Sequence, residues 1–167
     1  YRIYSGVQFF ARAEIKDALS YLRLIAHRDD LSFLRVANNP KRNLGVRRIR
    51  FLQAYAAEHA CSLYEALVRT VEDDLFKNTK AKKFIELVER FAASFGEMPI
   101  SELLAKLLDQ SGYEEALRTE GSQERLDNLA ELRQAVYEYE TTCGEETTLE
   151  SYLAHVAMLT NLDAQGA

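Results

Sequence analysis

From Ala13 to Leu162 the apolar residues recur at three- and four-residue intervals, and each run is bounded by residue types that start or stop a helix. Only an α-helix returns side chains to one face at that spacing, so the chain can bury these residues only as a series of packed helices. Ile15, Leu19, Leu22 and Ala26 form such a stripe over about Ala13 to Arg28, widened by Ala18, Tyr21 and Ile25. Asp29-Asp30 suits the cap of a second helix, from about Leu31 to Asn38. Asn39-Pro40 must end it, because the residue before a proline is pushed out of the α region. Gly45 opens a third helix to about His59, with Ile49, Leu52 and Ala56 inward. Ser62 with Glu65 makes a capping box ahead of Leu63, Ala66 and Leu67. Phe84, Leu87, Val88 and Phe91 mark a helix from Asn78 to Phe95 that Gly96 stops, and Pro99 and Gly112 bracket one carrying Leu103, Leu104, Leu107 and Leu108. A short helix follows over Tyr113 to Thr119. Ser122 caps a long one to about Thr142, and Thr147 with Glu150 caps the last, to about Leu162.

The opening residues 1–12 differ: β-branched and aromatic residues around Gly6 predict a short extended segment, leaving residues 13–167 as one helical domain. The expectation is an all-α, irregular multi-helix domain of about eight helices, with an extended N-terminal segment and a helix-hairpin-helix-like element over Leu31 to Glu58. Composition agrees with it. A chain of 167 residues that is 47% hydrophobic supports its own core, and with only Gly 7 and Pro 2 a turn-rich all-β architecture is disfavoured. No apolar run approaches the roughly 20 residues that span a bilayer, so no membrane partner is expected and a cytosolic location is. The first residue is not Met, and the chain reads as a piece of a longer protein.

Several chemistries have no foothold. Cys61 and Cys143 lie far apart without a C-x-x-C partner, which implies neither a disulfide framework nor a zinc site. His27, His59 and His155 are isolated, so no metal is assigned. The glycines never surround a lysine as a phosphate-binding P-loop requires, so no nucleotide cofactor and no catalytic residue are assigned. Asp29-Asp30, Asp73-Asp74 and Glu114-Glu115 adjoin expected helix ends, where capping and the helix dipole account for them.

Charge is segregated along the chain. Residues 1–50 carry 11 Lys and Arg against 4 Asp and Glu, or +7; residues 51–167 carry −12, giving the net −5. Lys41, Arg42, Arg47, Arg48 and Arg50 fall within ten residues that contain no acid. They surround a turn, Asn43-Leu44-Gly45, that leads into the third helix. The free N–H groups and dipole of a helix start make an anion site, and a glycine there lets a phosphate come close. Lys41, Arg42, Arg47 and Arg48, around the helix start at Gly45, are therefore candidate DNA-binding residues, in a device that grips backbone without reading bases. The competing readings are a structural αα-corner and a basic face that docks an acidic protein.

The segments Ser5-Gly6-Val7-Gln8-Phe9-Phe10-Ala11-Arg12-Ala13-Glu14-Ile15-Lys16-Asp17, Tyr21-Leu22-Arg23-Leu24-Ile25 and Asn38-Asn39-Pro40-Lys41-Arg42-Asn43-Leu44-Gly45, with Asp29-Asp30, Phe33 and Arg35, closely resemble UvrD/PcrA/Rep-type superfamily 1A DNA helicases. The resembling region leads out of the second motor domain into the helical 2B insertion. Asn128-Leu129-Ala130-Glu131-Leu132 and the Leu149 to Leu162 helix resemble the insertion's closing part. The resemblance implies a bacterial, ATP-driven 3′-to-5′ translocase of repair or replication. Its ATP- and Mg-binding motifs lie outside this stretch, so activity would belong to the parent protein. Implied partners are double-stranded DNA or a single-strand/duplex junction, the motor domains of the same chain, and repair or replication proteins. In the family a Gly-hydrophobic-Gly turn makes such backbone contacts. It reads Asn43-Leu44-Gly45 here, so the resemblance adds Asn43 and Leu44 to the candidate DNA-binding residues. Because asparagine tolerates the left-handed conformation, the turn is expected to survive.

Overall fold

The computed structural model describes residues 8–143 and 147–166, and among them it contains helices and no strand. Among the described residues, after a helical stretch at 8–10, come α1 Ala13–His27, α2 Asp30–Val36, α3 Val46–His59, α4 Leu63–Thr70, α5 Ala81–Ser94, α6 Ile100–Gln110, α7 Tyr113–Glu120, α8 Gln123–Cys143 and α9 Leu149–Gly166. Single 3-10 turns at Asp74–Phe76 and Phe95–Glu97 link α4 to α5 and α5 to α6. The extended segment expected over residues 1–12 lies partly outside the described residues. Within them, residues 8–10 are helical, the Ala11 and Arg12 amides donate back to Gln8 and Phe9, and Phe9 is buried.

Burial sorts the helices into a hub and its surroundings. Ten residues of α1 are buried, among them Ile15, Leu19, Leu22, Leu24 and Ile25, so it has no solvent face of any width. It packs against α2, α5, α6, α8 and α9. Only a central helix can be buried on nearly all sides, and its buried Glu14, Asp17 and Ser20 must then find partners within the fold. By contrast, α3 buries only Leu52 and Ala56 of its 14 residues and leans on α4 at the periphery. A helix with three arginines in its first five residues is thus among the least enclosed, an arrangement suited to a surface that meets something else.

Local chemistry explains most boundaries. Asp29 accepts from the Ser32 amide at the start of α2, and Ser62 accepts from the Glu65 amide at the start of α4. Gly112 and Gly121, at φ 84° and 77°, occupy left-handed positions on either side of α7. The expected start of α5 at Asn78 moves to Ala81, because Asn78 takes φ 62° and cannot continue a helix. At α9, Thr148 and Ser151 cap one another reciprocally, one residue beyond the expected Thr147 and Glu150.

Candidate nucleic-acid interface

The turn between α2 and α3 is built around one side chain. Asn38 Oδ1 accepts from the amides of Arg42 at 2.8 Å and Leu44 at 3.1 Å, folding the chain back on itself. Asn43 takes the left-handed conformation at φ 62°, and its Nδ2 donates to Asn78 O at 3.1 Å. Leu44 is 1% exposed and plugs the turn into the core. Gly45 then caps α3 at φ −82° and ψ −165°, extended backbone open to any residue. A Cβ built on Gly45 meets nothing within 4 Å, so the fold leaves the space before α3 clear. No side chain caps α3, and its first amides after Gly45 have no intrahelical acceptor. The positive end of a 14-residue helix thus opens outward.

Two of the expected contact residues leave the set. Arg42 is buried at 5% exposure. Its Nη1 donates to Val36 O at 2.7 Å and Ala37 O at 3.0 Å, and its Nη2 to Tyr21 Oη at 2.8 Å and Ser111 O at 3.1 Å. The guanidinium also lies 4.6 Å from the Phe84 ring centroid. Arg42 faces inward because the C-terminal carbonyls of α2 have no helical partners and a planar fork of donors satisfies them. It cannot meet a phosphate. Leu44 is likewise buried, and its amide is already taken by Asn38.

The others divide by exposure. Lys41 and Arg47 are exposed, and Gly45 is half-buried at the lip. Arg48 is partly committed: Nε donates to Leu75 O at 2.6 Å and Nη1 to Asn43 Oδ1 at 3.4 Å, so it braces the turn. A second basic segment, absent from the sequence expectation, lies against the first. The Lys80 amide donates to Arg42 O at 3.0 Å, and Leu75 O and Asn78 O receive Arg48 and Asn43. Backbone 75–80 is therefore fastened to backbone 42–48, bringing exposed Lys77 and Lys80 beside the turn, with exposed Lys82 and Lys83 following on the first turn of α5. Lys77 and Lys82 pair with Asp74 and Glu72. Among the described residues, Lys41, Arg47, Arg50, Lys80 and Lys83 have no ion-pair partner. The missed signal was visible: four lysines stand within seven residues over 77–83.

Beneath this surface lies a polar network. Asp17, 7% exposed, accepts from Arg35 Nε at 2.7 Å, Asn39 Nδ2 at 3.0 Å and Tyr113 Oη at 2.6 Å. Tyr21 donates to Asn39 O at 2.6 Å while accepting from Arg42. Burial, more than any other influence, raises the Tyr21 phenol above its ordinary range; burial and then the Asp17 carboxylate raise that of Tyr113. Both phenols stay neutral donors at physiological pH. The network ties the turn to α1, α2 and α7, so the basic surface sits on a rigid support. Among the described residues no cluster of His, Cys, Asp or Glu is arranged to hold a metal ion, and no helix is long and apolar enough to cross a membrane.

Compared with known proteins, residues 1–166 match the family model described as UvrD-like helicase C-terminal domain. Over 168 residues, 95% of this chain and 23% of the relative, the sequence is 34% identical to DNA helicase II of Escherichia coli (strain K12). It is 33% identical to the ATP-dependent DNA helicase PcrA of Bacillus subtilis (strain 168), over 98% of this chain and 23% of that protein. The chain thus spans about a quarter of the length of these relatives. The match to the C-terminal-domain model over nearly every residue overturns the expected assignment to the 2B insertion.

Proposed function

The chain belongs to the UvrD-like helicase C-terminal domain family, and on that premise we propose that it is a non-catalytic part of an ATP-dependent 3′-to-5′ DNA helicase that grips the duplex backbone. The grip is independent of sequence and modulates unwinding at a single-strand/duplex junction. ATP and Mg bind elsewhere in the parent protein. One observation carries the reading: an uncapped helix start at Gly45 lies open beside exposed, unpaired Lys41 and Arg47, with a second lysine segment fastened to the same turn. Amides of α3 take one phosphate, while Lys41, Arg47, Lys80 and Lys83 take its neighbours. Asn43 and Arg48 hold the turn, and Arg42 anchors it from below.

A labelled duplex with a single-stranded tail, titrated at low and moderate salt and followed by anisotropy, tests this. Binding should weaken with salt, and Arg47→Ala should lower the logarithmic salt slope by about one, the value for one lost phosphate contact. Gly45→Ala should leave the melting temperature nearly unchanged, since a Cβ meets nothing there, yet weaken binding by crowding the phosphate. Equal inertness of wild type and both variants at low salt would sink the reading.

A further inference from the structure

Large apolar side chains stand exposed immediately beside the basic turn. Leu31 is 81% exposed, Leu34 42% and Val46 68%. Leu31 and Leu34, three apart on α2, share a face. Leu34 forms one wall of an open groove, Val46 and Ile49 of α3 the other, with Leu44 also lining it and Arg50 and Gln53 at its margin. Leu34 and Val46 both line this groove, with Leu31 one turn back along α2, whereas the remaining exposed large apolar residues among those described, Val68, Tyr137 and Met158, stand on three different helices. Clustered exposure of this kind marks a binding surface, whereas scattered single residues do not.

The charge around the groove selects its occupant. No Asp or Glu lines it, and Arg50 does. The nearest carboxylates, Asp29 and Asp30, keep their charge at the N-terminal end of α2, away from the turn, where Asp29 accepts from Ser32 and Asp30 Oδ1 from the Leu63 amide. The sole acid of α3 is Glu58, at its far end. Arg47 and the positive end of the α3 dipole stand at the open end by Val46. A DNA backbone would answer the charge but leave Leu31, Leu34 and Val46 in contact with nothing apolar. Protein interfaces combine an apolar centre with arginine at its edge. We infer that this groove docks a segment of a partner protein that presents one or two large apolar side chains flanked by carboxylates. The apolar side chain sits between Leu34 and Val46, and the carboxylates meet Arg50, Arg47 and the helix start. Since Val46 and the first α3 amides also belong to the phosphate site, partner and duplex compete.

The test is a random-peptide display selection on the 167-residue chain, counter-selected with the double variant Leu34→Glu/Val46→Glu. Both positions are exposed, so circular dichroism should show the variant folded. The expected survivors combine Leu, Met or Phe with several Asp or Glu. A synthetic survivor should bind the double variant and Arg50→Glu at least about ten-fold more weakly, as loss of a central anchor does, and should be displaced by the tailed duplex. Survivors without acidic residues, or no enrichment over the double variant, would overturn the inference. So would a wild-type dimer in sedimentation velocity that the double variant dissolves, because the occupant would then be a second copy. The selection contains no DNA, so failure of the duplex reading leaves its outcome intact.

Discussion

Among the basic residues of the turn, Arg42 and Arg47 are chemically identical and do opposite work. Arg42 satisfies three backbone carbonyls and a phenol inside the protein; Arg47 is exposed on the first turn of α3. Truncating Arg42 leaves buried acceptors without donors, each of which costs about 1–3 kcal/mol, though not additively. Arg42→Ala should therefore destabilise the domain by about 3 kcal/mol in urea denaturation. Arg42→Lys should recover only part, because an ammonium cannot span the positions of a planar fork. Arg47→Ala should change stability by less than about 0.5 kcal/mol, as exposed substitutions do, while weakening DNA binding. Equal stability of the two alanine variants would contradict the assignment. The basic run was legible in the sequence, but not which cation turns inward. That depends on Ser111, 69 residues away, and on the Phe84 ring, and no local pattern encodes either. The lysines of 77–83 were legible as a run too; their place beside the turn rests on backbone bonds that only the folded chain makes.

Helix existence and most helix ends follow from neighbours in sequence, which is why they could be read directly. Ser62 caps α4, Asp29 caps α2, and Gly112 separates α6 from α7 through short-range geometry. Where a terminus is satisfied from elsewhere in the fold, the local signal can mark its place but not its partner. The start of α6 has Pro99 but no side-chain cap of its own; instead Glu140 of α8 accepts from the Ile100 amide at 2.9 Å and the Ser101 amide at 3.3 Å, and from the Ser101 hydroxyl. This borrowed cap joins two helices that also pack along their lengths. Glu140→Ala should cost about 1 kcal/mol, the usual value of a lost N-cap, and should speed amide exchange at Ile100 and Ser101 before the rest of α6. Glu140→Gln, still an acceptor but uncharged, should fall between. Unchanged exchange at those two amides in the alanine variant would show that packing alone holds the junction. The basic turn relies on the same principle: Asn38, Asn78 and Leu75 supply from three places the bonds that a local motif would otherwise need.

Taken whole, the molecule is a buried hub helix surrounded by others, with its positive charge gathered at the α2–α3 turn and the bound lysine segment. The net charge of −5 conceals this, because residues 51–167 contribute −12 against +7 from residues 1–50. The acidic remainder repels phosphate, so under the proposed function DNA should approach by the basic side alone. What fixes that side to the hub is largely phenolic: Tyr21 and Tyr113 join α1, α2 and α7 through Asn39 and Asp17. Tyr64 bonds Glu89 across α4 and α5, and Tyr152 is buried on α9. Burial is the largest cause raising all four phenols, and the carboxylates of Asp17 and Glu89 add to it for Tyr113 and Tyr64. A phenol raised in the folded state keeps its proton there after the unfolded chain, titrating near pH 10, has released its own. The unfolded chain then binds fewer protons than the native one, so stability falls as pH rises. The contribution is complete below about pH 10 and is lost progressively above it. The melting temperature should therefore hold steady from neutral pH to about 9 and decline beyond about 10. Tyr113→Phe should decline less steeply than wild type, although its stability at neutral pH is lower for want of the bond to Asp17. Melting curves recorded across that range for both proteins decide the matter, since identical alkaline slopes would mean that the Tyr113 phenol is not held neutral by its burial and by Asp17.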